Sequence, residues 1–132
     1  MKKRIWTNGC FDILHPGHIE LFKYAKSKGD LLFVGIDSDR RVNELKGNSR
    51  PINNQEDRKS VIESIRYVDG VFIFDTKEEM ESLLTDLEIE LIVIGDEYQG
   101  KDITGESLCE VDFFTKIPGK STTLIIEKSK DI

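Results

Sequence analysis

The sequence predicts an α/β domain in which helices cover one parallel sheet of five strands. Three observations carry this. Strand-like and helix-like stretches alternate along the whole chain, as successive βα units require. Leu31-Leu32-Phe33-Val34-Gly35-Ile36 is a continuous apolar run, the pattern of a strand covered on both faces. Met80, Leu83, Leu84 and Leu87 fall at i, i+3, i+4 and i+7, the spacing of an amphipathic helix. The length, 132 residues, fits a single domain, 1–132.

Each element follows in order. Arg4 to Asn8 reads as a first strand ending at Gly9. Ile19 to Lys28 reads as a helix, with Ile19, Leu21, Phe22 and Ala25 at roughly helical spacing and Lys28-Gly29 as its stop. The apolar run from Leu31 to Ile36 is the second strand. Asp37-Ser38-Asp39 can cap a short helix through Leu45. Lys46 to Asn54 is polar, holds a Gly and a Pro, and reads as a loop. Asn54 or Asn53 then caps a helix through about Tyr67, with Val61, Ile62 and Ile65 inward. Val71 to Phe74 is the third strand, and the helix around Met80 to Leu87 follows. Leu91 to Ile94 is the fourth strand, ending at Gly95-Asp96, and Val111 to Phe114 a shorter fifth. Ser121 to about Lys128 closes the chain as a helix capped by Ser121 or Thr122. The expected arrangement is Rossmann-like, with strand order 3-2-1-4-5. Such sheets bind ligands beyond the carboxyl ends of their strands, and every motif below falls at such an end.

Composition narrows the class. The net charge is −6, which argues against a duplex nucleic-acid binder but leaves room for a local basic phosphate site. The two cysteines, Cys10 and Cys109, form no CxxC pair and are too few for a disulfide scaffold. A reduced cytoplasmic protein is expected. Met1-Lys2-Lys3-Arg4 is basic, yet only a short apolar stretch follows, so no signal peptide is expected. No run approaches a membrane span.

The strongest chemical feature is Gly9-Cys10-Phe11-Asp12-Ile13-Leu14-His15-Pro16-Gly17-His18, which contains both histidines of the chain. It lies between the first strand and the first helix, which begins near His18. A helix start offers free N–H groups and the positive end of its dipole. Two imidazoles beside it can donate to phosphate oxygens, and such donors help most when attack on phosphorus adds negative charge there. Cys10, His15 and His18 do not have a usual zinc spacing, and no fourth ligand is evident. Asp12 suits either a local turn cap or a substrate contact.

Thr7-Asn8-Gly9-Cys10-Phe11-Asp12 followed by His15-Pro16-Gly17-His18 resembles the HxGH signature of the cytidylyltransferase-like superfamily. The resemblance implies that His15 and His18 contact a triphosphate and stabilise pentavalent phosphorus. It implies further that the strand-end segment, including Gly17, lines a nucleotide site and that Asp12 lies near the acceptor. A second feature, Lys46-Gly47-Asn48-Ser49-Arg50-Pro51 with Asp57-Arg58-Lys59, is a basic loop in an acidic protein. Arg forks and Lys point charges suit phosphates. The pattern resembles the adenylyltransferase domain of bacterial ADP-heptose synthases, which implies Lys46 and Arg58 as phosphate ligands and Arg50 on the acceptor side.

Gly95-Asp96-Glu97-Tyr98-Gln99-Gly100-Lys101 is a third feature. Gly95 permits close approach of a ligand, Asp96 can accept from a base or ribose, and Tyr98 can stack. It resembles the GDxW or GDxY element of glycerol-3-phosphate cytidylyltransferases and heptose adenylyltransferases. The fourth is Lys116-Ile117-Pro118-Gly119-Lys120-Ser121-Thr122-Thr123, similar to the RTEGxST element of the cytidylyltransferases. It implies Lys116, Gly119, Ser121 and Thr122 as nucleotide ligands. Lys116 and Pro118 stand where that element has Arg and Glu, and Lys cannot form Arg's bidentate fork.

Together these features imply direct transfer of a nucleoside monophosphate from a nucleoside triphosphate, ATP or CTP, to a phosphorylated sugar or polyol. Mg2+ accompanies the triphosphate. The first half leans toward a heptose-1-phosphate adenylyltransferase. The second half, through Ile65-Arg66-Tyr67-Val68-Asp69 and Gly95-Asp96 with Gly100-Lys101, leans toward a glycerol-3-phosphate cytidylyltransferase. A nucleotide-binding module without catalysis is the rival from another class, and the intact histidine pair argues against it. The resemblance also implies a homodimer; the acidic balance and the lack of a membrane-length run lead us to expect neither nucleic acid nor membrane as a partner.

Overall fold

The computed structural model describes residues 1–115. The expected closing helix, with Lys116, Gly119, Ser121 and Thr122, lies outside the described residues. Within them the chain runs β1 (Arg4–Gly9), α1 (Pro16–Ser27), β2 (Leu31–Asp37), α2 (Asp39–Lys46), α3 (Gln55–Glu63), β3 (Gly70–Phe74), α4 (Lys77–Asp86) and β4 (Leu91–Gly95), then a 3₁₀ turn (Asp96–Tyr98) and β5 (Glu110–Phe114). All neighbouring strands are parallel, in the order β3-β2-β1-β4-β5, as the sequence predicts.

Alternation along β1 divides the core in two. Ile5 joins Leu32, Val34 and Ile36 against Phe22 and Ala25 of α1 and Ile62 of α3. Trp6 points the other way and joins Ile92 and Ile94 against Met80 and Leu84 of α4. Gly35 belongs to this second face. A Cβ there would run into the Trp6 indole, so only glycine admits the ring.

The sheet opens where the site must lie. β1 pairs with β2 along its full length, from Arg4↔Leu31 to Gly9↔Ile36. With β4 it pairs only at Ile5↔Leu91 and Trp6↔Ile92. Beyond Trp6 the ladder between these strands ends, although β1 continues to Gly9 and β4 to Gly95. Strand order reverses at this point, so a crevice opens at the carboxyl ends, where open α/β sheets take ligands.

Some boundaries differ from expectation. α1 starts at Pro16, earlier than Ile19 or His18, because His15 serves as its N-cap and Pro16 fits the first helical position. α3 stops at Glu63 rather than near Tyr67. Its last turn tightens, with Ser64 N–H donating to Val61 O and Ile65 N–H to Ile62 O. Val61, expected inward, is 53% exposed, while Ile62 is fully buried. Successive helical residues lie about 100° apart, so one core direction cannot take both. Asn54, not Asn53, caps α3, accepting from Asp57 N–H at 2.8 Å.

Candidate functional site

The chain leaves β1 at Gly9 and turns sharply. Phe11 adopts φ 49, a left-handed conformation that costs a non-glycine residue on the order of 1 kcal/mol. Packing offsets this. The ring is 7% exposed and meets Phe22 edge-on at 5.2 Å. A Cβ on Gly9 would stand 3.1 Å from that ring, so glycine lets it fold beneath the strand end. The ring also meets the His18 imidazole at 5.2 Å and 89°. Phe11 therefore braces His18.

The two histidines form the helix start. His15 Nδ1 accepts from Gly17 N–H at 3.0 Å, and His18 Nδ1 accepts from His15 N–H at 3.3 Å. This is a capping box in which imidazoles replace the usual hydroxyl and carboxylate. The rings stack at 3.9 Å and 27°. An Nδ1 that accepts a hydrogen bond carries no proton, so each neutral ring carries its proton on Nε2. The cap thus makes each Nε2–H a donor. No acidic residue in the first turn offsets the positive helix end. The arrangement suits an anion such as phosphate.

Asp12 and Arg50, both expected at the acceptor, are engaged with each other. Asp12 is 2% exposed. Its carboxylate accepts from Asn53 N–H at 2.8 Å, from Ile52 N–H at 2.8 Å and from Arg50 Nε at 3.0 Å. Burial opposes its charge, but those two N–H groups and the guanidinium hold its carboxyl below the usual carboxylate range. The carboxylate does not cap its own turn: its partners lie about forty residues on, and it locks the segment after α2 onto the histidine turn.

Arg58, expected to face phosphates, is instead a buried joint, 2% exposed. Nη1 donates to Cys10 O at 2.9 Å and to Asp37 O at 2.8 Å; Nε donates to Asn53 O at 3.0 Å; Nη2 donates to Asp39 Oδ1 at 2.8 Å. It holds together the ends of β1 and β2, the start of α2 and the entry to α3. Helical spacing from Ile62 turns it inward, where backbone carbonyls require donors.

Thr7, expected at the nucleotide, is fully buried within the sheet, and its hydroxyl has no hydrogen-bond partner among the described residues. Asn8 accepts from Trp6 Nε1 at 3.1 Å. Cys10 is half-buried, and burial pushes its thiol pKa up against the charge of Arg58, which disfavours a thiolate nucleophile. Lys46 is exposed at the end of α2, and its charge acts on both Cys10 and Asp37. Across the crevice Gly95 ends β4, Asp96 is half-buried and Tyr98 is 48% exposed, with Lys101 Nζ 5.9 Å from its ring centre. The structure thus gathers the histidine turn and Cys10, with Lys46 on the β2 side. Gly95, Asp96 and Tyr98 lie at the carboxyl end of β4, the strand next to β1. Sequence reasoning missed Phe11 as a brace and read Asp37 only as part of a helix-capping run; an acid ending an otherwise apolar strand was the available signal for a further role of the latter.

A family model described as Cytidylyltransferase-like matches residues 6–128. The chain is 45% identical over 131 residues to the "Bifunctional protein HldE" of Campylobacter concisus, and 47% identical over 130 residues to that of Campylobacter fetus subsp. fetus. Each alignment covers 98% of this chain but 28% of the relative, so the chain spans little more than a quarter of these curated proteins. Among solved structures, the lipopolysaccharide core biosynthesis protein of Thermoplasma volcanium superposes with a TM-score of 0.74 at 24% identity, covering 89% of this chain and 99% of that one. That likeness establishes the same fold. No helix among the described residues is long and apolar enough to cross a membrane.

Proposed function

The chain belongs to the cytidylyltransferase-like family, and on that premise we propose that it transfers a nucleoside monophosphate from a nucleoside triphosphate to a sugar 1-phosphate of the heptose type. ATP is the preferred donor, because the extended identity is to proteins named HldE and the basic loop resembles heptose adenylyltransferases. A phosphate oxygen of the acceptor attacks the α-phosphorus in line. A new P–O bond forms, the bond to the bridging oxygen breaks, and pyrophosphate leaves with that electron pair.

One observation supports this above the rest: the reciprocal imidazole cap, which fixes both rings at a helix start with Nε2–H as the donor. Such fixed donors stabilise charge that grows on phosphate oxygens without reorganising during the reaction. Lys46 supplies a mobile point charge from the β2 side, while Gly95, Asp96 and Tyr98 contact the nucleoside. Arg58 and Asp12 act by holding the turn and the basic segment in position. Mg2+ enters with the triphosphate, whose oxygens coordinate it. Among the described residues no group of three or more His, Cys, Asp or Glu side chains is set to hold a metal ion, and no step here passes through a protein-held one. The reading includes action in the cytoplasm and a homodimer, the latter testable by sedimentation.

The test is pyrophosphate release from ATP, CTP, GTP and UTP against heptose 1-phosphate, other sugar 1-phosphates and glycerol 3-phosphate, with Mg2+. ATP with a sugar 1-phosphate is the expected productive pair. His18→Ala lowers its rate by about a hundredfold to a thousandfold, the scale for losing one preorganised donor. CTP with glycerol 3-phosphate as the sole productive pair replaces the substrate assignment. Nucleotide binding with no turnover for any pair defeats the enzymatic reading.

A further inference from the structure

Asp37 closes β2 beside the strand end that feeds the histidine turn, and no role above employs it. Its side chain is 14% exposed. Oδ1 accepts from Arg41 Nε at 2.8 Å, whereas Oδ2 makes no hydrogen bond within the described residues. Its main-chain carbonyl and that of Cys10 accept from the same Arg58 nitrogen, at 2.8 and 2.9 Å, so the two strand ends are pinned side by side. Burial pushes its carboxyl pKa up against the opposing charge of Arg41, as expected of a carboxylate short of hydrogen-bond donors.

We propose that Asp37 accepts a hydrogen bond from a hydroxyl of the acceptor sugar and so helps to select it. This rests on the sugar-phosphate reading above. The local charges sort the two ends of such an acceptor. A phosphate is repelled by Asp37 and attracted by Lys46, whose charge acts on the same spot. A hydroxyl is a donor, and a largely desolvated carboxylate is a strong acceptor for it. Arg41 holds the carboxylate in place, so little order is lost on binding. A ligand without a hydroxyl there leaves Oδ2 desolvated and unpaired, the condition under which hydrogen-bonding sites discriminate most strongly.

The experiment is titration calorimetry of the full chain and its D37N and D37A variants with heptose 1-phosphate, mannose 1-phosphate and glycerol 3-phosphate, each compared with inorganic phosphate. D37N preserves side-chain volume, so it keeps the test open should D37A fail to fold. The wild type binds at least one sugar phosphate more than tenfold tighter than inorganic phosphate. Both variants weaken that affinity by about tenfold to a hundredfold, the range for a hydrogen bond to a charged group, while inorganic phosphate, freed of the repelling carboxylate, binds at least as tightly as before. In turnover, D37N raises the acceptor KM and leaves kcat and the triphosphate KM in place, a split that general loosening of the fold does not produce. Equal sugar-phosphate affinity in wild type and D37N overturns the role of Asp37, as does a wild type that cannot tell sugar phosphate from phosphate. A productive pair combined with unchanged D37N affinity rejects this inference alone. Loss of sugar binding in D37N without any productive pair supports it and rejects the transferase.

Discussion

Replacing Asp12 by Asn tests whether that carboxylate fastens the basic segment to the histidine turn. The wild-type carboxylate receives three donors in a site 2% exposed: two backbone N–H groups and the Arg50 guanidinium, whose side chain is 10% exposed. Asparagine keeps the shape but replaces one acceptor oxygen with a donor NH2 and removes the charge. At least one donor then faces another donor, and Arg50 loses its counter-ion. Breaking one side of a buried ion pair costs about 3–5 kcal/mol; the lower figure applies because one amide oxygen still accepts. A loss of roughly 3 kcal/mol is a large share of the 5–15 kcal/mol typical of a domain. For a chain of this size it lowers the thermal midpoint by roughly 10 °C. The assay is thermal and urea unfolding, with hydrogen exchange at the Ile52 and Asn53 amides as the local readout. A midpoint within about 2 °C of wild type, with those amides still protected, refutes the lock.

The same carboxylate sets a pH dependence. Its folded pKa lies below the unfolded value, so its contribution is complete above the ordinary carboxylate pKa of about 4 and disappears as pH falls through the lower folded value. The urea midpoint of the wild type drops on acidification through that window, and the D12N midpoint changes less. Thr7→Val removes a fully buried hydroxyl that has no partner among the described residues, so the variant gains about 1 kcal/mol; lower thermal stability would show that the hydroxyl is satisfied. Arg58→Met fills the space but leaves the carbonyls of Cys10, Asp37 and Asn53 without their donor. It costs at least about 3 kcal/mol, measured by denaturant unfolding, and near-neutral behaviour would contradict its role as a joint.

Much of the fold was legible because local pattern and global arrangement agree. The apolar run of β2 and the spacing of Met80, Leu83, Leu84 and Leu87 carry their periods on the surface of the sequence, and both fall where expected. Val61 misled because it neighbours Ile62, and hydrophobicity alone does not choose between adjacent directions on a short helix. The histidine turn was legible as a cluster of chemistry. Its tautomer-fixing cap was not, since imidazole is an unusual capping group. Arg50 and Arg58 were legible as charges suited to phosphates and Asp12 as a turn cap or substrate contact, but none as a partner of distant parts of the chain itself. Asp12 meets Ile52 and Arg58 meets Cys10 only through tertiary folding. A sequence shows that a charge is present and leaves its burial to the fold.

Trp6 and Gly35 occupy one volume between them, since the indole fills the space that any side chain at 35 would need. Two positions distant along the chain, on the neighbouring strands β1 and β2 but not opposite each other in register (Trp6 pairs with Phe33 and Gly35 with Asn8), therefore answer to a single constraint. Under drift, neither can change alone: a methyl at 35 calls for a smaller residue at 6, and a smaller residue at 6 leaves room that a methyl at 35 can fill. In a family of related chains this pair should vary together. In a genetic screen, a Gly35→Ala lesion should be suppressed by shrinking Trp6 and not by changes at the histidine turn.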